Sequence, residues 1–476
     1  MKTSSHSYLQ ICVAVGLVLC TMLSTPCSAQ RTLSLHEVLE SATQRFPKIL
    51  EAEQKLEQAE ARRYSASGAF DVEFQQQSRA RTSGYYDGIY AKQKLIKPLA
   101  EGNAKVFLEY RLADGDFPVY EDELVTLDKG EVNLGLSFSL LRGREIDKYR
   151  LALTNADLDV GMEASRQQAV KNSVQFKAAM AYMEWLNAYQ QLGVYRQLLA
   201  TASARQAAIS DRVKLGHAAE IELLDQQQNV VKREAMVLKA QNEMRLRAID
   251  VSFYWRDEAG EPQVVTDNLL PHLPSSLPEH TDAGISALID DAITRHPDIR
   301  QVEVMMAQMD NQRRLYQNEL LPQVDVHMKA SQDIGDGSET REGFESYVGL
   351  EFAMPLQRRS AKGKLSEVRA KIKQLSFLRQ GLTESLRISL HQAKAKYVNA
   401  KAQAELAERR AELTQRLLQQ EQQRFMEGDS DIFKLNLREQ HMAEAQISAV
   451  TSELERMMAS IALLGYAYQM DKLFSP

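Results

Sequence analysis

The chain has 476 residues and a formal net charge of −6, so no basic surface calls for nucleic acid. Its three cysteines, Cys12, Cys20 and Cys27, all fall in the first thirty residues. The remainder therefore has no disulfide, no thiol nucleophile and no thiolate metal site.

Residues 1–29 read as a secretory signal peptide. Lys2 is followed by an apolar run from about Leu9 to Leu23 and by small residues before Ala29, and the run is too short for an ordinary membrane span. Export without disulfides leaves stability to size or assembly.

A helix is expected over 35–66. Strands are expected within 70–141, where apolar residues alternate: Phe70, Val72 and Phe74, then Val132, Leu134, Leu136, Phe138 and Leu140. Such alternation suits a half-buried strand in a small soluble sheet, or a membrane strand with one lipid-facing side. "IYAKQKLIKPL" (89–99) and "AKVFLEYRL" (104–112) read as an added hairpin, although Lys92, Lys94 and Lys97 argue against the first of these as a membrane strand. Tyr85, Tyr86 and Tyr90 suit either an interfacial girdle or an ordinary loop.

Helices follow over 144–215 and 218–255, divided at "RVKLGHAAEI" (212–221). A proline-rich connector, 261–283, is read as the equatorial region. Then come helix 284–316, strands within 322–356 carrying Val324, Val326, Met328, Val348, Leu350, Phe352 and Met354, helix 360–426, and helix 431–467. The break between the last two is "RFMEGDSDIF" (424–433). The long helices would span about 105 and about 100 Å, each matched in length by two shorter ones end to end.

The chain reads as two copies of one unit, 30–260 and 284–476. Pro47 and Pro297 mark equivalent places, as do Gly216 and Gly428. One copy of the chain offers four to six strands, too few to close a lipid-facing barrel, so several chains must share one sheet.

The duplicated order, the "LLRGREIDKYR" and "PLQRRSAKGKL" strand-to-helix exits, and the paired "RVKLGHAAEIELLDQQ" and "RFMEGDSDIFKLNLREQ" segments together resemble the TolC-like outer-membrane efflux proteins. The resemblance covers essentially the whole chain after the signal. It implies an α+β membrane protein: a homotrimeric β-barrel of four strands per chain, set in outer-membrane lipid and continued by a long periplasmic α-helical coiled-coil tunnel. It implies a passive exit channel for efflux or type I secretion, fed by an inner-membrane transporter through a periplasmic adaptor protein, with no cofactor and no catalysis. Gly216 and Gly428 would then be the hairpin-tip turns and adaptor contacts.

The family's acidic gate after the second tip is absent. Lys434 and Leu437 stand at the nearest positions, and Asp225, Asp429, Asp431 and Lys434 are the candidates for the periplasmic aperture. Lys434 is expected to meet a carboxylate of the neighbouring hairpin, and Asp431 alternatively to cap the next helix. The family's variable C-terminal tail is nearly missing. His36, His217, His272, His280, His296, His391 and His441 show no metal spacing, and the methionines read as core filling. The alternative reading is a periplasmic coiled-coil structural or adaptor protein without a pore.

Overall fold

A computed structural model describes residues 31–118, 124–266, 268–274 and 279–473. The signal peptide read over 1–29 lies outside them, as do parts of the connector. The elements in order are β1 Arg31–Leu33, α1 Leu35–Arg45, α2 Pro47–Ser67, β2 Glu73–Ala80, β3 Gly88–Pro98, β4 Lys105–Gly115, β5 Glu131–Ser139, α3 Lys148–Lys214 and α4 Glu220–Ser252. There follow β6 Leu269–Pro271, α5 Asp282–Arg295, α6 Pro297–Asn318, β7 Gln323–Asp333, β8 Phe344–Ala353, α7 Arg359–Met426 and α8 Ile432–Tyr466.

The single helices expected over 35–66 and 284–316 are each broken in two. Pro47 and Pro297 open α2 and α6. Each lacks an N–H and pushes the preceding residue out of the helical region. Phe46 and His296 accordingly have ψ of 124° and 125°. Phe70 is not in a strand; it ends the short 3₁₀ turn Gly68–Phe70.

The chain divides into two compact units. One is drawn from the segment ending at Ala42, Ala178–Leu277 and Gln403–Leu454. Its core contains Leu33, Val38, Leu39, Tyr182, Met183, Trp185 and Leu186. Here β1 and β6 pair in parallel. The Tyr182 hydroxyl lies 2.8 Å from the Leu33 carbonyl and 2.6 Å from the His272 carbonyl, and accepts the His272 N–H at 2.8 Å. Burial pushes this hydroxyl's pKa far above its ordinary range.

The second unit, Thr43–Lys177, Pro278–Ala402 and Glu455–Pro476, contains a six-stranded antiparallel sheet in the order β2-β3-β4-β5-β7-β8. Residues 88–115 thus supply a full hairpin, β3–β4, with eleven paired positions. Neither β2 nor β8 pairs on its outer side among the described residues. The helical core of this unit includes Ile49, Ala59, Val174, Ile285, Leu390 and Tyr397. Buried Asn172 donates to the Gly465 carbonyl at 2.8 Å and accepts the Met470 N–H at 3.2 Å.

Candidate functional site

Residues opposite one another in a β-ladder share a face, and the next residue along points the other way. The pairing therefore sorts the six-stranded sheet into two faces. One carries Phe74, Leu95, Leu108 and Leu134 on a single rung. Leu136, Met328 and Val348 form another, and Phe138, Val326 and Leu350 a third. Val348 and Leu350 are 71% and 69% exposed in the single chain. An open apolar face of this extent is a liability in water and the normal state of a strand facing lipid. No helix among the described residues is long and apolar enough to cross a membrane, which says nothing of a β-sheet.

The opposite face is polar. Gln75, Lys94, Glu109, Asn133, Ser331 and Glu345 make one unbroken rung across all six strands. The adjacent rung holds Gln77, Lys92, Arg111, Glu131 and Asp333. Glu109 has Lys92 at 3.3 Å and Lys94 at 3.4 Å. Glu131 is held by Arg111 and by Lys329, the latter at 3.4 Å. The two carboxylates are only 7% and 3% exposed, and two cations on each keep that burial tolerable.

One rung is less polar: Ile96, Phe107, Gly135, Lys329 and Tyr347. A Cβ built on Gly135 would lie 2.0 Å from the Phe107 ring, so the ring's close approach requires glycine. The tyrosines do not group as a girdle. Tyr90 is buried on the polar face with its hydroxyl 3.3 Å from Gln77, whereas Tyr86 packs on Phe117 and Arg81 and Tyr85 is fully open.

In the other unit, α3 and α7 end in the same backbone device. Gly216 and Gly428 have φ of 73° and 82°, the left-handed region glycine enters freely. His217 N–H reaches the Arg212 carbonyl at 2.8 Å and Gly216 N–H the Val213 carbonyl at 2.9 Å. Asp429 to Arg424 at 2.8 Å and Gly428 to Phe425 at 3.2 Å repeat the pattern, a Schellman closure at both ends.

The charges dress these turns differently. Asp429 pairs with Arg424 at 3.1 Å. Asp431 accepts the Lys434 N–H at 2.8 Å and its ammonium at 3.0 Å, which caps α8 and holds the carboxyl below its usual range. In the single chain Lys434 thus meets the carboxylate of its own turn, since three residues of helix bring the two within reach, and not one from the other hairpin. Asp225 is exposed and has no hydrogen-bond or ion-pair partner among the described residues.

A buried ion cluster about three turns or more from these glycines carries no sign in the sequence. Glu439 of α8 is 1% exposed and bonds both Arg205 of α3 and Arg233 of α4, the latter at 3.1 Å. Arg205 also reaches Asn436 at 2.6 Å, and Arg233 the Leu198 carbonyl at 3.0 Å. Burial draws the Arg233 pKa down against the pull of Glu439. Among the described residues no group of three His, Cys, Asp or Glu is placed to hold a metal ion.

No protein-family profile and no curated protein matches the sequence. Solved structures do. The outer-membrane channel OprN matches with a TM-score of 0.61 at 16% identity, over 91% of this chain and 90% of that one. The outer membrane protein VceC of Vibrio cholerae gives 0.61 at 14% identity, over 91% and 96%. The open state of the Neisseria gonorrhoeae MtrE outer membrane channel gives 0.60 at 14%, over 91% and 88%. The chain carries the fold of the TolC-like outer-membrane channels.

Proposed function

We propose that the chain is a passive exit channel of the outer membrane. The observation that carries this is the sheet: one face apolar and open, the other polar with Glu109 and Glu131 paired to cations, and both edge strands unpaired on their outer sides among the described residues. Backbone groups at an open edge cannot face hydrocarbon. Three copies pairing β8 to β2 around a threefold axis would close an eighteen-stranded barrel from the six strands of each. The polar faces would then line water, and the long helices would form a periplasmic tunnel. An inner-membrane transporter and a periplasmic adaptor supply energy and selectivity in this reading, and the turns at Gly216 and Gly428 meet the adaptor.

Among the four aperture candidates, Asp225 is favoured, because Asp429, Asp431 and Lys434 are engaged within their own turn. Threefold repetition of Asp225 makes a carboxylate ring that attracts cations. The purified protein in planar bilayers should give discrete conductance steps. Asp225→Asn should lower cation preference more than Asp429→Asn does. Absence of conductance from correctly folded protein would overturn the channel reading and favour a periplasmic structural role.

A further inference from the structure

We infer that the polar face of the sheet carries a binding site for a soluble oxyanion, a phosphate or a carboxylate, at the end nearest the long helices. A cavity of about 370 Å³ opens there, lined among others by Lys105, Arg142, His327, Asn103, Ser137 and Asp325. Lys105, Ser137 and His327 share one rung of the polar face, and Ser139 and Asp325 the next.

The charge distribution decides what the cavity accepts. Further along the same face every cation of the central strands is taken up: Lys92 and Lys94 by Glu109, Arg111 and Lys329 by Glu131. The side chains of Lys105 and Arg142 have no hydrogen-bond or ion-pair partner among the described residues. The one carboxylate in the lining, Asp325, is already engaged on both oxygens, by Ser139 at 2.7 Å and Gln323 at 2.6 Å. Asn103 donates to that same serine at 3.1 Å, which fixes the β3–β4 turn against the cavity rim. His327 lies 3.5 Å from Glu351, a contact that is ionic only with the imidazole protonated.

Two cations against the single carboxylate of the lining leave the recess with a net positive charge. Arginine offers a planar fork that suits the two oxygens of a carboxylate or phosphate, and lysine adds a mobile point charge. Each oxyanion that enters replaces water on groups that no protein carboxylate serves. β4 and its preceding turn add Lys105 and Asn103 to a recess otherwise built from β5, its exit and β7, so the extra hairpin brings one of the two cations. As a staging point for anionic cargo the site rests on the channel reading above; as a binding site it does not.

The test is inorganic phosphate titrated into the purified full-length protein in detergent at constant ionic strength, followed by ³¹P line broadening. Saturable binding is expected. The double variant Lys105→Gln, Arg142→Gln should bind about tenfold or more weakly, since two charge-assisted contacts are lost. Arg142→Lys, which keeps the charge and loses the fork, should fall between, and the exposed helix variant Lys373→Gln should match wild type. No saturable binding to wild type, or equal binding by all four proteins, would overturn the site. Phosphate binding without conductance in bilayers would leave the site standing and sink the channel reading instead.

Discussion

The helical hairpins and the sheet treat charge in opposite ways. In the hairpin unit, Glu439 is enclosed with Arg205 and Arg233, and the α7–α8 turn matches its own charges pair by pair. In the sheet, ion pairs hold Glu109 and Glu131 on one face, while leucine, valine and phenylalanine stand open on the other and two strand edges go unpaired among the described residues. A segment whose polar groups are satisfied internally can be stable in water. A segment with an open apolar face and unmatched backbone edges needs a second solvent and further copies.

The contrast can be broken at its strongest points first. Glu439→Gln should leave the buried Arg233 and the part-buried Arg205 without their carboxylate and cost roughly 3–5 kcal/mol, seen as lower thermal stability of the purified protein. Replacing Glu439, Arg205 and Arg233 together by apolar residues of similar volume should recover most of that loss. If Glu439→Gln melts like wild type, the cluster contributes nothing to the hairpin unit. In the sheet the sensitive change runs the other way. Leu108→Arg adds a charge to the apolar face and should weaken assembly by roughly 2–4 kcal/mol, whereas Gln75→Arg on the polar face should assemble normally. Equal yields of membrane-extracted oligomer from the two variants would contradict the assignment of the faces.

Smaller effects sharpen the comparison between the hairpin turns. An added Cβ at Gly216 or Gly428 meets nothing within 4 Å, so Gly→Ala at either position tests backbone strain alone. Each should cost about 1 kcal/mol by thermal denaturation. The smallest effect is that of Asp431, whose carboxyl is held low first by the Lys434 backbone N–H and then by its side chain. A carboxylate with a lowered folded pKa contributes fully above its unfolded value and loses that contribution as pH falls through the folded one. The contribution of this carboxylate should be flat from neutrality to about pH 5 and decline below about pH 4. Asp431→Asn should flatten part of that acid limb.

Much of the fold was legible in residue patterns. Strands alternating at Val132–Leu140 and Val348–Phe352 announced an amphipathic sheet, and two glycines in long proline-free stretches announced the turns. Lys92 and Lys94 spoke against β3, yet they sit two residues apart and share the polar rungs with Gln77 and Gln75. For those two the objection was itself the alternation, whereas Lys97 falls on the apolar face, where its ammonium reaches the Phe70 carbonyl at 2.6 Å. The three-residue strands β1 and β6 are too short for any periodic signal, and Pro271 disguises the second. The Arg205–Glu439–Arg233 cluster was hidden for another reason: charged residues in a helix repeat normally mark the wet side, and partners more than 200 residues apart carry no local sign. The aperture candidates were chosen by their distance from glycine, which does not say which carboxylates their own turn will occupy.

The central claim is that copies of this chain close one barrel through their free edges. Imaging of the purified protein in detergent or nanodiscs, at a resolution that separates strands, tests it directly. Three chains and eighteen strands are expected, six from each, with β8 of one copy paired to β2 of the next. A monomer with both edges open, or an assembly in which residues 88–115 lie outside the wall, would contradict it.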